Sequence, residues 1–418
     1  MKIKNPLVWI GLLLIIAAGA VLGSRWLIPR VLFAPDDPAL TMENSGSDPV
    51  NDSTSPELPE GASTDVEETP DTTSGHDLEA AAKFPFQHLA FEVEVLAENL
   101  NIPWEIRYLP DDDDWLITQR SGELLSLNRG LIASIEGVAH TGEGGLLGMA
   151  LHPDFSSNRH LYLYYTTQSG SRITNRVMRF RYENHSLRDG VVILDDIPGA
   201  RFHNGGRIAF GPDGMLYVTT GDAVDPPLSQ QESSLAGKIL RMTPEGEVPG
   251  DNPFPDSLVY SLGHRNPQGM AWHPETEDLY ASEHGPTQMD EVNLILPGAN
   301  YGWPIVTCDE APTDYEDPIA CYAGFTLAPS GMTFYNPGFI EGTPLLVSGL
   351  RGNQIRRLSL ESDGTVTDQE ALFTEWGRIR TVHALDGDLY FITNNRDGRG
   401  TPHAEDDRLV RLRVRTPE

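Results

Sequence analysis

The chain has 418 residues, and its 61 acidic residues outnumber the 30 Lys and Arg residues to give a formal net charge of −31. This charge argues against binding to nucleic acid, because a phosphate backbone needs a basic surface, and against adhesion to anionic lipid. Two cysteines are too few for a Cys₄ zinc or iron–sulfur centre within the chain.

The N-terminus carries an apolar segment. Residues 6–24 are uncharged and mostly apolar, and two lysines precede them. Such a stretch is at the short end of what spans a bilayer, and its basic flank predicts that the rest of the chain is exported. We interpret residues 1–30 as a signal anchor or, alternatively, as a signal peptide cleaved near Ala18 and Ala20. Both predict a periplasmic protein or one on the outer face of the cytoplasmic membrane, with membrane contact only through this segment.

A polar linker follows the apolar segment. Residues 31–83 are rich in Ser, Thr, Pro, Asp and Glu, and residues 35–82 contain no Lys or Arg. Such a composition cannot bury enough apolar surface to offset the cost of ordering the backbone. The sequence therefore predicts a disordered acidic tether between the first segment and a folded domain.

Residues 84–418 contain a weak internal repeat of a turn followed by an apolar strand, as in GPDGMLYVTT and ALDGDLYFIT. The turns lie 43 to 63 residues apart, near Pro110, Pro153, Pro212, Pro274, Pro337 and Asp386. Six units of this length fit blades of four strands each. We therefore predict an all-β fold, a six-bladed β-propeller, in which a strand at 88–96 completes the last blade. A β-sandwich is the alternative, but it does not explain six similar units.

Several Gly-rich connections beside these strands carry polar residues suited to chemistry. His203 precedes two glycines, which allow a ligand to approach the backbone closely, and a neutral histidine can accept a proton near pH 7. Arg265 and Asn266 precede Pro267, which favours an extended or turn conformation. Together they suit a planar, oxygen-rich anion. Taken singly, each of these residues is also compatible with a purely structural role.

The segment that follows has features of a cation site. The turn at Gly285 and Pro286 offers backbone carbonyls to a hard cation such as calcium. Asp290 and Glu291 are the nearest carboxylates, although an acidic pair in so acidic a chain is also compatible with a solvated loop.

Three arginines complete the set of candidates. Arg351 follows an apolar strand, and Arg378 and Arg380 alternate along one segment, which predicts that both point to the same face of a strand. Two arginines on one face can bind carboxylates of a ligand, or they can balance nearby acidic residues.

Cys308 and Cys321 are the only cysteines. Because the N-terminus predicts export to an oxidising compartment, a disulfide between them is favoured over two free thiols.

Taken together and in this order, these segments resemble the soluble glucose and aldose sugar dehydrogenases that depend on pyrroloquinoline quinone (PQQ). The resemblance runs from about residue 95 to 413 and is strongest in HNGGR, LGHRNPQGMA, SEHGP, NYGWP and GRIRTV. It is closer to the aldose sugar dehydrogenase branch than to the glucose-specific enzymes. It implies oxidation of an aldose to a lactone with PQQ and Ca²⁺ as cofactors, and transfer of the electrons to an external acceptor.

The resemblance also implies roles for individual residues. His203 corresponds to the general base that takes the proton of the sugar's anomeric hydroxyl, before hydride passes to C5 of PQQ. Arg265 corresponds to the residue that stabilises the developing negative charge, and Asn266 to a hydrogen-bond donor to the quinone. Arg351, Arg378 and Arg380 correspond to partners of the three PQQ carboxylates.

The metal ligands implied by the resemblance fall into two sets. The carbonyls of Gly285 and Pro286 correspond to ligands of the calcium that polarises PQQ. Glu291 and the carbonyl of Tyr301 correspond to a second, structural calcium site.

Two positions depart from the family pattern. Glu143 replaces the usual glutamine of the cofactor pocket, and a carboxylate there would repel a tricarboxylate unless it is protonated or bound to calcium. Arg351 stands where the family has lysine, which keeps the charge but changes the geometry of its donors.

Two other functions remain open at this point. The tether and Glu143 are compatible with a non-catalytic propeller that binds glycan or protein. A calcium-dependent lactonase would need several inward carboxylates around one ion, and the sequence does not show such a set. The sugar pocket is expected in the loops at 222–236 and 306–330.

Overall fold

Twenty-four strands form six antiparallel sheets of four strands each in the computed structural model, which describes Phe86, residues 89–308 and residues 312–415. This confirms the predicted six-bladed β-propeller. The predicted signal segment, 1–30, and the predicted linker, 31–83, lie outside the described residues. Within the described part of the chain, no helix has both the length and the apolar character needed to cross a membrane.

The first three blades follow one another along the chain. Blade one contains β2 (Pro103–Leu109), β3 (Asp114–Gln119), β4 (Glu123–Ser126) and β5 (Gly130–Ser134). Blade two contains β6 (Leu146–Leu151), β7 (His160–Ser169), β8 (Arg172–Glu183) and β9 (Ser186–Pro198). Blade three contains β10 (Ile208–Phe210), β11 (Leu216–Thr220), β12 (Lys238–Met242) and β13 (Val259–Leu262).

The second half of the ring repeats this order. Blade four contains β14 (Pro267–Trp272), β15 (Leu279–Glu283), β16 (Met289–Ile295) and β17 (Ala320–Ala323). Blade five contains β18 (Pro329–Phe334), β19 (Leu345–Gly349), β20 (Gln354–Leu360) and β21 (Val366–Leu372). Blade six contains β22 (Ile379–Leu385), β23 (Asp388–Thr393), β24 (Leu409–Arg415) and β1 (Ala90–Ala97).

Short helical segments lie in three of the connections between the described strands. These are the helix α1 (Phe155–Asn158) and the 3₁₀ turns Pro226–Gln230 and Thr374–Trp376.

Blade six joins the two ends of the domain. β1 pairs antiparallel with β24, in a register that places Ala90 opposite Arg415 and Val93 opposite Leu412. The first strand along the chain therefore completes the last sheet, as the sequence predicted. This pairing leaves no blade incomplete, and it covers a sheet edge that would otherwise expose unpaired backbone groups.

The predicted turns all fall at the same place in the repeat, between the first and second strands of a blade. The apolar runs after them, such as Leu216–Thr220, are buried along their whole length. Continuous burial arises because each blade packs between two others, so both faces of the sheet meet apolar neighbours. In the core between blades two and three, for example, Tyr164 and Val177 pack with Val218 and Leu240.

The closing pair of strands should contribute strongly to stability. Leu412 is fully buried in the core between blades five and six. Leu412→Ala should lower the free energy of unfolding by about 2–5 kcal/mol, because it removes buried methyl groups and leaves a cavity. Urea denaturation measures this change. Leu131→Ala, at a side chain that is 58% exposed in β5, is the control and should change stability by less than about 0.5 kcal/mol. Equal effects of the two substitutions would contradict the packing described for the closing strand.

Candidate active site

Most of the predicted functional residues lie at one end of the central channel, several of them in the connections that enter the innermost strands. Glu143 precedes β6, His203 precedes β10, and Arg265 and Asn266 precede β14. A cleft there consists of a cavity of about 540 Å³ and an adjoining one of about 90 Å³, and Glu143 and His284 line both. Because the blades are arranged radially, residues far apart in the sequence converge on this cleft.

Residues from the second half of the ring complete the cleft. His203, Arg265, Asn266, Gly285, Pro286 and Arg351 line the larger cavity, and Arg380 lines the smaller one. A third, separate cavity of about 1130 Å³ opens at the other end of the innermost strands, beside Pro274 and Asp386. It contains none of the predicted site residues.

His203 is held by a buried aspartate. Nδ1 of His203 lies 2.7 Å from Oδ1 of Asp222, and the other oxygen of Asp222 accepts a hydrogen bond of 2.9 Å from Nε1 of Trp303. A carboxylate only accepts hydrogen bonds, so Nδ1 of His203 carries the proton and Nε2 is the basic nitrogen. The pair therefore has the arrangement of a general base with its orienting carboxylate.

The HNGG segment folds as it does because of its glycines. Gly205 has φ 58°, and a Cβ there would come within 2.5 Å of the carbonyl oxygen of Thr219. Its N–H donates to Oδ1 of Asn266 across the blade boundary, at 3.0 Å. His203 itself has φ 59°, a left-handed conformation that costs a non-glycine residue about 1–2 kcal/mol. The loop thus holds the histidine backbone in a strained conformation at the edge of the cleft.

Arg265 and Asn266 present donors that lack partners. Nη1 of Arg265 donates to the carbonyls of His284 and Gly285, at 3.1 and 2.7 Å, and the guanidinium lies over the ring of Trp303. Nε of Arg265 and Nδ2 of Asn266 are buried and make no hydrogen bond with any described residue. Buried donors without acceptors are costly, so these two atoms indicate an oxygen-rich ligand.

Arg380 is a buried cation that forms no ion pair with a described carboxylate. It is 5% exposed, and its Nη1 donates to Oε1 of Gln268 at 2.7 Å and to the hydroxyl of Ser330 at 3.3 Å. Burial is the main cause that lowers its pKa, to about 9, with neighbouring arginines adding to it. The group is still charged at neutral pH, and the free energy of burying it would be offset by an anion in the cleft.

Arg378 is in a different situation. It lies just before β22, and its Nη2 forms an ion pair of 2.8 Å with the buried carboxylate of Asp397. The strand contains a register shift between Ile379 and Thr381, so Arg378 and Arg380 do not simply alternate on a regular strand as the sequence suggested. Nε of Arg378 is buried and has no hydrogen-bond partner among the described residues.

The two positions that depart from the family pattern differ in their surroundings. Glu143 forms an ion pair of 2.8 Å with Arg399. A neighbouring cation therefore balances its charge, a possibility beyond the protonation and calcium binding considered from the sequence. Arg351 is exposed at the edge of the cleft and makes no ion pair within the described residues.

The residues proposed as calcium ligands lie at two levels. The carbonyl of Pro286 accepts the N–H of Met289, and Arg265 donates to the carbonyl of Gly285. Glu291 is buried behind the cleft, opposite Glu283 on the neighbouring strand. Burial, and then the charge of Glu283, raises the pKa of Glu291 to about 8.

Tyr301 is connected to Glu283 through His264. Its ring stacks on His264 with centroids 4.7 Å apart, and Nδ1 of His264 lies 2.8 Å from Glu283. Among the described residues, no group of three His, Cys, Asp or Glu side chains is arranged to hold a metal ion. A metal at either level would therefore need backbone or amide oxygens as well.

Both loops expected to form the sugar pocket reach the site. The first contains Asp222, and the second contributes Gly324, Phe325 and Thr326 to the wall of the cleft. The disulfide between Cys308 and Cys321 is confirmed, with Cα atoms 5.4 Å apart. It joins residue 308 of the second loop to β17, which lies within the same loop region.

Sequence reasoning missed three acidic or basic residues of the site. Asp222, Asp397 and Arg399 are paired with His203, Arg378 and Glu143. For Asp222 a signal was present, because a lone aspartate lies two residues after the end of a fully buried strand, β11. For Asp397 and Arg399 the loop is one charged turn among many, and the pairing appears only in three dimensions.

The fold and the cleft are those of a propeller sugar dehydrogenase. The chain belongs to the Glucose / Sorbosone dehydrogenase family, whose model matches residues 100–410. Aldose sugar dehydrogenase YliI of Escherichia coli (strain K12) is 33% identical over 73% of this chain and 91% of its own length.

A solved structure and a further sequence relative agree with this assignment. The PQQ-bound form of aldose sugar dehydrogenase from Streptomyces coelicolor is 40% identical, with a TM-score of 0.71, over 78% of this chain and 99% of that one. Quinoprotein glucose dehydrogenase B of Acinetobacter calcoaceticus is 33% identical over 57% of this chain and 56% of its own length. These matches support the oxidation of sugars as the activity of the family.

The ion pair of Arg378 and Asp397 should be structural in the cofactor-free protein. Asp397→Ala leaves a buried guanidinium without its partner and should cost about 3–5 kcal/mol of unfolding free energy in urea. Asp195→Ala, which removes an exposed ion pair with Arg176, is the control and should cost less than about 1 kcal/mol. A loss at Asp397 as small as that of the control would contradict the buried pairing.

Proposed function

We propose that the protein oxidises aldose sugars to lactones, with PQQ as the electron acceptor in the cleft and calcium as a second cofactor. The observation that carries the proposal is that the His203–Asp222 pair faces the same cleft as a set of unpartnered cationic and amide donors. A sugar bound there would be close both to a general base and to donors that can bind an anion.

The donors of the cleft fit PQQ. Buried nitrogens without partners belong to Arg265, Asn266, His284 and Arg380, which line the cleft, and to Arg378, whose partner Asp397 lines it. PQQ is a planar tricarboxylate with quinone oxygens, so it offers acceptors to such donors and negative charge to guanidinium groups. Arg351 would add a fourth guanidinium group from the exposed edge, and the PQQ-bound relative from Streptomyces coelicolor supports the same ligand.

The protein's own residues would perform the proton chemistry. Nε2 of His203 takes the proton of the anomeric hydroxyl, and Asp222 stabilises the imidazolium that results. PQQ, when bound, supplies the quinone carbonyl that accepts the hydride from the anomeric carbon. Trp303 keeps Asp222 in place by its hydrogen bond, so the base retains one tautomer.

Arg265 stabilises negative charge that develops in the cleft, because its guanidinium lies among the proposed cofactor contacts. It now donates to the carbonyl of Gly285. The carbonyls of Gly285 and Pro286 would hold the calcium ion beside this guanidinium. The calcium would act there as a Lewis acid.

The second calcium is proposed at Glu291 and the carbonyl of Tyr301. Two buried carboxylates, Glu283 and Glu291, face each other there, and Oδ1 of Asn293 is buried without a donor. An unpaired amide oxygen beside two carboxyl groups fits a hard cation. Such an ion would offset the repulsion between the two carboxylates.

We further propose that the domain works outside the cytoplasm and passes its electrons to an external acceptor. The disulfide at Cys308 supports an oxidising compartment, and residues 6–24 are the proposed signal or membrane anchor.

The base is tested by substitution. His203→Ala should retain PQQ binding but lower kcat for aldose oxidation by about 10²–10⁴-fold, and Asp222→Asn should also lower kcat because the wrong tautomer is favoured. Dye reduction by the protein loaded with PQQ and calcium measures both. His185→Ala, at a histidine far from the cleft, is the control. Unchanged turnover in His203→Ala would refute the role of His203, and loaded wild type without turnover would favour a non-catalytic binding protein.

Calcium should stabilise the fold through Glu291. At a free concentration 100 times its Kd, calcium should add about 2.7 kcal/mol to the free energy of unfolding. Glu291→Gln should lose the part of this gain that the second site supplies, whereas Glu94→Gln, at an exposed pair in blade six, should keep all of it. Thermal or urea unfolding with calcium and with chelator measures the gain. Identical gains in the two variants would place calcium elsewhere.

A further inference from the structure

The position of Glu143 shows a feature that the proposed function does not use. Residues 142–143 form a reciprocal clamp on the loop that carries His203. The N–H of Glu143 donates to the carbonyl of Arg201 at 2.6 Å, and Oε2 of Glu143 accepts the N–H of His203 at 3.2 Å. Gly142 packs against Arg201 so closely that a Cβ there would overlap the carbonyl oxygen. The clamp therefore acts on the backbone of the proposed base, whereas Asp222 acts on its ring.

The clamp matters because the backbone of His203 is strained. A left-handed non-glycine residue persists only where its surroundings determine it. The N–H of His203 is bound by Glu143, and its carbonyl accepts the N–H of Ala223 at 3.3 Å. Glu143 therefore supplies the contact on the N-terminal side of the strained residue.

The charge of Glu143 is fixed by Arg399. Burial alone would raise the pKa of Glu143, but interactions with His284 and Arg399 lower it to about 2. Arg399 is the cation that pairs directly with Glu143, with Nη1 2.8 Å from Oε1. An ionised acceptor binds an N–H more strongly than the amide of a glutamine would.

Arg399 is itself placed by the loop after β23. Its N–H donates to Oδ1 of Asp397 at 2.9 Å, while the other oxygen of Asp397 binds Arg378. Its guanidinium also lies 5.7 Å from the ring centre of Phe202, the residue before His203. The turn 397–399 thus places the carboxylate of Asp397 beside Arg378 and the guanidinium of Arg399 beside Glu143.

We propose that Glu143 and Arg399 form the positioning unit of His203. The ion pair, whose arginine comes from blade six, holds the left-handed peptide of His203 in place. The arginine also removes the repulsion that a lone carboxylate would exert on an anionic cofactor. Glu143 and Arg399 are positioning residues, since they act through His203. The kinetic part of this inference rests on the proposed function, whereas the backbone part does not.

Amide hydrogen exchange of the cofactor-free protein tests the backbone part. Glu143→Ala should raise exchange in the peptide 200–206 by about tenfold, because a hydrogen bond to a charged acceptor is lost. Glu143→Gln should raise it less, and Glu94→Gln, the remote control, should leave it unchanged. Exchange in 200–206 that is the same in Glu143→Ala and wild type would overturn the proposal. This holds whether or not the protein binds PQQ.

Loaded protein separates positioning from electrostatics. Glu143→Gln should lower kcat by about tenfold with little change in KM and no weaker PQQ binding, since a misplaced catalytic group slows the reaction. Arg399→Gln should weaken PQQ binding, and the double variant should recover the PQQ affinity but not kcat. Arg399→Lys should retain most of both. Normal kcat in Glu143→Gln would overturn the positioning role, whereas wild type without PQQ-dependent turnover would refute only the proposed function.

Discussion

The antiparallel pairing of β1 with β24 is the contact on which the rest of the structure depends, because it closes the ring. The site is not contained in any one blade: His203 belongs to blade three, Arg265 to blade four and Arg380 to blade six. Their separation is fixed only when all six blades are held in a closed circle. Closure therefore links the ordinary packing of apolar strands to the geometry of a cleft whose parts lie far apart in sequence, such as Glu143 and Arg399, which are 256 residues apart.

The cleft is a local reversal of the protein's overall charge. In a chain with a net charge of −31, several guanidinium groups meet at the centre of the ring, and not all of them are balanced. Asp397 balances Arg378 and Glu143 balances Arg399, while Arg380 is buried beside neutral partners. The unbalanced groups define where an anion can bind, and the balanced pairs fix the loops around it. The family assignment supports an oxidoreductase, and this charge pattern fits the anionic cofactor proposed for the cleft.

Much of the fold could be predicted from the sequence, because a turn followed by a buried strand is a local pattern that recurs in every blade. Candidate residues that line the cleft could be selected where a local feature marked them, such as the glycines after His203 or the proline after Asn266. The pairs were harder to find. The charge of Glu143 looked unfavourable in the sequence, since its partner Arg399 comes from the last blade and nothing local links the two. Arg378 and Arg380 looked equivalent, since neither the register shift at β22 nor Asp397 is visible in a one-dimensional pattern.

The central claim is that the unpartnered donors of the cleft form a PQQ site served by His203. The most direct measurement is a titration of the purified cofactor-free protein with PQQ in the presence of calcium, followed by absorbance and by the reduction of a dye when an aldose is added. The account predicts saturation at about one PQQ per chain and dye reduction that appears in proportion to the bound PQQ. A folded protein that binds no PQQ, or that binds it without any sugar-dependent dye reduction, would contradict it.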